Sequence, residues 1–201
     1  MFEEKINKIF QLKIPFENIY TSVFLVDTLS DKILVDCGTK SSDVDDFIIP
    51  SLKKLEIDLA DISFLVLTHK HGDHVGGLEH VMSINPKIKV VDSIVDFCPN
   101  VEVYNLTGHT NDCIGLLELS TGTLLTGDGL QGEDVGMYKC YLENVDGYRQ
   151  TLNNILFDKR INNAILSHAY NPWKTDTFLG RDDVERLISD CIKVADNYNV
   201  K

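Results

Sequence analysis

The chain has 201 residues, 43% of them hydrophobic, enough for one sizeable core and short for two, so a single domain over residues 1–201 is expected. A formal net charge of −12 with no Lys/Arg-rich run repels phosphate backbones and anionic lipid, which argues against nucleic acid and membrane as partners. The N-terminus carries both charge signs (Met1-Phe2-Glu3-Glu4-Lys5), no apolar run has the length of a signal or spanning segment, and the five scattered cysteines read as reduced thiols, so a cytoplasmic setting is expected.

Apolar and β-branched residues recur with partial alternation over residues 6–16 and 19–26, and Asp27-Thr28-Leu29-Ser30-Asp31-Lys32 supplies turn chemistry before Ile33-Leu34-Val35, a pattern that predicts an antiparallel meander. The third strand ends in Asp36-Cys37-Gly38, where Asp36 either orients a metal-ligating histidine or is a turn aspartate holding nearby amides. Val44, Phe47, Ile48, Leu52 and Leu55 share a helical face that Pro50 must kink or divide. Residues 62–67 read as a buried strand, and Val75, Leu78, Val81 and Met82 as a helix.

Between that strand and that helix stands Thr68-His69-Lys70-His71-Gly72-Asp73-His74-Val75-Gly76-Gly77. Residues two apart in extended chain point the same way, so His69 and His71 can face one metal ion; a turn at Gly72 swings Asp73 and His74 to an adjacent position. The alternative makes Asp73 a helix cap and the histidines solvated turn residues, and then gathers three imidazoles and a carboxylate with no cation to reward it. Gly76 and Gly77 leave room for close backbone packing.

Strands follow at 87–91 and 101–106, the second running into Thr107-Gly108-His109-Thr110. A hairpin, 114–119 with 123–126, ends in Gly127-Asp128-Gly129. Residues 131–144 lack a period and read as a mobile loop beside the site. Tyr148, Leu152, Ile155 and Leu156 form a helix stripe, residues 161–166 a strand ending in Ser167-His168-Ala169, and Val184, Leu187, Ile188, Cys191, Ile192 and Ala195 the apolar face of a last helix. Of the histidines only His80 is not at a strand end.

The segment from Thr68 to Gly77, with its preceding strand and trailing glycines, resembles the H-x-H-x-D-H signature of the metallo-β-lactamase superfamily. The resemblance implies an α/β fold, an αββα sandwich of two mixed β-sheets flanked by helices. It also implies that His69, His71 and His109 hold one ion, Asp73, His74 and His168 a second, and that Asp128 bridges them. The cofactor is then two divalent transition-metal ions, zinc first, with iron or manganese suiting the same ligands. The activity implied is hydrolysis of an ester, thioester or lactone of a small molecule by a metal-bridging hydroxide, with Asp73 as the catalytic proton carrier. Zinc β-lactamases of the binuclear type carry cysteine where Asp128 stands, and flavodiiron proteins usually carry glutamate where His71 stands. Glyoxalase II has a longer C-terminal region, and the transfer-RNA nucleases have an RNA-gripping arm with no counterpart here. The other reading that survives is a mononuclear iron dioxygenase of persulfides, which shares much of the ligand pattern.

Overall fold

The strand expected over residues 6–16 is split. Asn7 and Lys8 take left-handed φ values of 27° and 64°, so β1 (Glu3–Ile6) folds back on β2 (Ile9–Phe16). The computed structural model describes residues 1–28 and 30–198; Leu29, in the turn expected before the third strand, lies outside them. The chain divides into two compact units, Met1–Asn100 and Val101–Lys201.

In the first unit β1, β2, β3 (Ile19–Asp27) and β4 (Lys32–Val35) form the antiparallel meander, and β5 (Phe64–Val66) and β6 (Lys89–Val91) add to it in parallel. On β3, Val23 and Leu25 join Leu12, Ile14, Leu34 and Leu65 in a core that also takes Val44, Ile48, Leu52 and Val81 from the helical segments. The intervening Phe24 and Val26 are as inaccessible, so β3 is buried on both faces and reads as an apolar run with little alternation. Each such side chain contributes roughly 1.5–3 kcal/mol of burial. The helix around Pro50 is divided: α1 (Ser41–Asp43) passes through a π-turn (Val44–Ile48) into α2 (Ile49–Lys53), with Pro50 in its first turn. Proline has no N–H to give to the preceding turn, and the widened turn lets the chain continue. The helices α3 (Gly72–Val75) and α4 (Leu78–Ile84) follow β5.

The second unit is built on β7 (Val101–Asn105), β8 (Ile114–Glu118), β9 (Thr123–Leu125), β12 (Asn163–Ile165) and β13 (Thr177–Leu179), in the order β13-β12-β9-β8-β7. Only β12 and β9 are parallel. The three-residue edge strand β13 is too short to display a period. Residues 131–144 contain a two-stranded ribbon, β10 (Asp134–Val135) with β11 (Tyr138–Lys139), in place of the expected loop. It is pinned from outside: Asn171 Nδ2 donates to Asp134 Oδ1 at 2.6 Å, and Asn171 N donates to Asp134 O at 2.8 Å.

Helices α5 (Val145–Phe157) and α6 (Arg181–Asp196) pack on each other, and α6 on β12 and β13. Arg181 seals the end of α5: its Nη1 donates to the carbonyls of Ile155, Asp158 and Ile161 at 3.3, 3.0 and 2.9 Å, and its Nη2 to that of Leu156. The Ile155 and Leu156 carbonyls are ones that a helix end otherwise leaves to water, met by a cation on the favourable side of the helix dipole, and those of Asp158 and Ile161 belong to the turn that follows. Arg181→Ala should therefore lower stability by about 2 kcal/mol and Tm by roughly 4–8 °C. Lys, which lacks the planar fork, should recover less than half of that in a thermal melt; full recovery by Lys would reduce the role of Arg181 to charge alone.

None of the five cysteines is in a disulfide, and burial pushes the Cys37, Cys140 and Cys191 thiols up, the last two to about 12, as befits packed thiols. Among the described residues no helix is long and apolar enough to cross a membrane.

Candidate metal centre

Apart from His109, the expected ligands lie just past the carboxyl ends of strands that have a parallel neighbour. In the first unit β4 and β5 run in parallel, so Asp36, just past β4, meets the segment that leaves β5. In the second, β9 and β12 run in parallel, so Asp128 and His168 come off adjacent strand ends. The connections from parallel strands leave at the same edge, which gathers side chains distant in sequence.

In the first unit the extended stretch after β5 places the His69 and His71 rings 4.6 Å apart, and α3 brings the His74 ring to 4.2 Å from that of His69. Asp73 Oδ2 lies 3.3 Å from His74 Nε2. His69 and His74 are buried and His71 is exposed. Gly72, expected to enable the turn, has no positive φ, and a Cβ there would meet nothing within 4 Å. The glycine requirement sits at Gly76 and Gly77, where a Cβ would fall 2.0 Å from Thr39 O and 2.3 Å from Cys37 O. Gly76 N donates to Gly38 O at 2.9 Å, and Cys37 N to His74 O at 2.8 Å, so α3 is laced onto the turn that carries Asp36.

Asp36, left open between two readings by its sequence setting, bonds the His74 imidazole and an amide beyond the neighbouring strand, and among the described residues no amide of its own turn. Fully buried and in the left-handed region (φ 61°), it accepts the Thr68 N–H at 2.8 Å on Oδ1. On Oδ2 it accepts the Thr68 hydroxyl at 2.8 Å and His74 Nδ1–H at 2.7 Å. With its own proton given to Asp36, the Thr68 hydroxyl accepts from His69 Nδ1 at 3.2 Å. Both rings are thereby assigned the tautomer that presents Nε2 to a metal, the arrangement in which an outer carboxylate orients a ligating imidazole.

In the second unit His109 sits in the turn after β7, and Asp128 stands between two imidazoles. Its Oδ2 is 3.7 Å from His109 Nε2 and its Oδ1 is 3.3 Å from His168 Nε2. All three residues are buried. His109 Nδ1 donates to the Tyr141 carbonyl at 2.9 Å, and Gln131 steadies that residue by accepting Tyr141 N–H on its side-chain oxygen at 3.1 Å. Gln131 is held in turn by Tyr148, whose hydroxyl accepts Gln131 N at 2.9 Å and whose pKa burial pushes well up.

The donor set fits metal ions on a geometric ground. The closest outer contacts of His69, His74 and His109 are 2.7–3.2 Å, hydrogen-bond lengths, whereas the Nε2-to-carboxylate distances at His74, His109 and His168 are 3.3–3.7 Å. Two ligands about 2.0–2.1 Å from one ion in a roughly tetrahedral arrangement stand about 3.3–3.4 Å from each other. The separations match co-ligands better than hydrogen-bond partners.

The structure thus brings His69, His71, Asp73 and His74 together in one unit and His109, Asp128 and His168 together in the other. It adds Asp36, Thr68, Gln131 and the Tyr141 carbonyl as supports. Of these only Asp36 was signalled by its sequence position; the others carry no local pattern. His80 pairs with Asp45 at 2.9 Å on the surface and takes no part.

Two mixed sheets flanked by helices, with His/Asp groups at strand ends, define a metallo-β-lactamase-type fold. The metallo-β-lactamase FIM-1 of Pseudomonas aeruginosa, solved in a mono-zinc form, matches with a TM-score of 0.71 at 16% identity, covering 97% of this chain and 96% of that one. Residues 18–92 match the profile of the metallo-beta-lactamase superfamily, and that stretch contains the whole segment from His69 to His74. The chain therefore carries the metallo-β-lactamase fold and, over that stretch, the superfamily's sequence pattern.

Among relatives, the beta-lactamase-like protein 2 homolog of Drosophila melanogaster is 29% identical over 167 residues, which are 68% of this chain and 54% of that protein. Ribonuclease J of Mycobacterium tuberculosis is 38% identical over 65 residues, 30% of this chain and 12% of that protein. The chain spans about half the length of the first of these and a small part of the second.

Removing the Asp36 carboxylate tests the outer contacts. Asp36→Ala should weaken metal binding by about 10–100-fold. It also strands two Thr68 donors and one His74 donor in a buried site, at roughly 1–3 kcal/mol each. Competition with a chelator measures the first effect and denaturant unfolding of the metal-free protein the second. Unchanged metal affinity would remove Asp36 from the site's support.

Proposed function

We propose that this protein is a binuclear metal-dependent hydrolase that cleaves an ester, thioester or lactone of a small molecule. The reading is supported above all by the Nε2-to-carboxylate separations of 3.3–3.7 Å at His74, His109 and His168, the first two of which have Nδ1 held from behind. In this reading His69, His71 and His109 would hold one ion, Asp73, His74 and His168 the other, and Asp128 would be shared between them.

Divalent ions bound there supply acidified water and Lewis acidity toward a carbonyl oxygen. The protein's own groups do the rest. Asp36, Thr68 and the Tyr141 carbonyl keep the rings from rotating. Asp73, whose side chain is 16% exposed, can take a proton on a carboxylate oxygen and return it to the departing alkoxide or thiolate. No side-chain nucleophile is required.

Protein purified without chelator should carry about two transition-metal ions per chain, zinc among those that support activity. It should hydrolyse members of a panel of 4-nitrophenyl esters, acyl thioesters and lactones without consuming oxygen. The same panel should include a persulfide, read with an oxygen electrode, and an RNA oligonucleotide. Activity confined to the iron form with stoichiometric oxygen uptake would replace this reading with the dioxygenase, and RNA cleavage in place of ester cleavage would overturn the small-molecule substrate.

A further inference from the structure

The second unit contains a cleft of about 890 Å³ that the proposed chemistry does not use. That volume is in the range that takes a small molecule. Its apolar walls are Tyr141 and Leu142, Pro172 and Trp173 in the turn before β13, Val194 in the last turn of α6 and Tyr198 just past that helix. Two of these walls adjoin the expected ligands. The Tyr141 carbonyl accepts His109 Nδ1–H, and its ring stands edge-on to His109 with centroids 5.9 Å apart. Pro172 and Trp173 follow Tyr170, whose ring stands edge-on to His168 at 5.8 Å.

The charges at the rim are engaged with one another. Lys139 pairs with Asp134 at 2.6 Å and Lys193 with Asp190 at 2.8 Å, and Asp190 also accepts Trp173 Nε1–H at 3.0 Å. Glu133 and Glu143 complete the rim, so its carboxylates outnumber its ammonium groups. An anionic ligand would have to break a pair and face the remaining carboxylates, whereas a neutral alkyl or aryl group loses nothing at the rim and gains the aromatic walls.

We propose that this cleft receives a neutral apolar acyl arm of the substrate, and that Tyr141, Trp173 and Val194 set the preference for its length. The assignment rests on the hydrolase reading for the word substrate, but the cleft can be tested without it. Trp173 is the chain's only tryptophan and lies in the wall, so its fluorescence reports occupancy directly.

Two measurements are made side by side. The first is kcat/KM for 4-nitrophenyl acetate, butyrate, hexanoate and octanoate with wild type and Val194→Phe, a substitution that fills the cleft from a half-buried position. The second is the Trp173 emission of both proteins titrated with octanamide, whose amide resists hydrolysis. Wild type should gain up to about fourfold in kcat/KM per added methylene until the cleft is filled. Val194→Phe should lose most of that gain, its octanoate-to-acetate ratio of kcat/KM falling toward one. Octanamide should shift Trp173 emission saturably in wild type, and at least about tenfold more weakly in the variant. Ester hydrolysis with no chain-length gain and no Trp173 response overturns the cleft and leaves the hydrolase standing. A saturable Trp173 response lost in the variant, with no ester cleaved, upholds the cleft as a site for an apolar chain and sinks the hydrolase reading. The wild-type titration decides the matter even if Val194→Phe fails to fold.

Discussion

Replacing Asp128 with asparagine is expected to cost one of two bound metal ions and to lower kcat by at least about 10²-fold, the lower end of what a positioned catalytic group contributes. The reason is the symmetry of its contacts. One carboxylate oxygen lies 3.7 Å from His109 Nε2 and the other 3.3 Å from His168 Nε2, and in the proposed reading each oxygen would serve a different ion. Asparagine keeps the shape and exchanges one oxygen for an NH₂ group, a donor that cannot ligate and that turns its positive end toward a cation. One negative charge is lost from the site as well. Because the substitution is nearly isosteric, the metal-free protein should melt close to wild type. Elemental analysis, a melt with and without chelator, and turnover of the best ester together check this. If Asp128→Asn retains both ions and full turnover, Asp128 is not the shared ligand and the binuclear reading fails with it.

Gly76→Ala should damage the fold and the site together. A Cβ at this position would sit 2.0 Å from Thr39 O and 2.1 Å from Thr39 C, where ordinary contacts begin near 3.4 Å. Both neighbours are backbone, so no side chain can swing away, and either α3 or the turn from Cys37 to Thr39 must shift by more than 1 Å. A cost of about 3 kcal/mol is expected, with a fall in Tm of roughly 6–12 °C. The shifted turn carries Asp36, so metal affinity should fall as well, by about 10–100-fold. Gly72→Ala is the control, because a Cβ there meets nothing within 4 Å; it should stay within about 0.5 kcal/mol of wild type. Equal melts for the two variants would show that the close approach at Gly76 relaxes at no cost.

The supports of the histidines divide by how far apart in sequence their partners lie. Thr68 and His69 are adjacent, whereas His74 and Asp36 are 38 residues apart and their hydrogen bond exists because β4 and β5 pair in parallel. The Tyr141 carbonyl reaches His109 across 32 residues from a segment without period. The ribbon from Asp134 to Lys139 was hidden for the same reason: its strands are two residues each, and what holds them is Asn171, far downstream.

What the sequence determined by itself is whatever depends on near neighbours. The segment from His69 to His74 encodes its own convergence, since strand alternation followed by one helical turn places three imidazoles and a carboxylate together wherever the segment sits. The apolar stripe of α6 and the long runs of β2 and β3 were legible for the same reason. His109, Asp128 and His168 were legible only as residues at strand ends, in the order that the family resemblance demands. That Asp128 and His168 touch was decided by the parallel pairing of β9 with β12, two short strands separated by a helix. Asp36's role was decided by the pairing of β4 with β5, and the glycine requirement by the backbone of Cys37 to Thr39 passing beneath α3. Strand pairing and close backbone approach are long-range choices settled by burial over the whole sheet, and a few residues of local pattern carry no record of them.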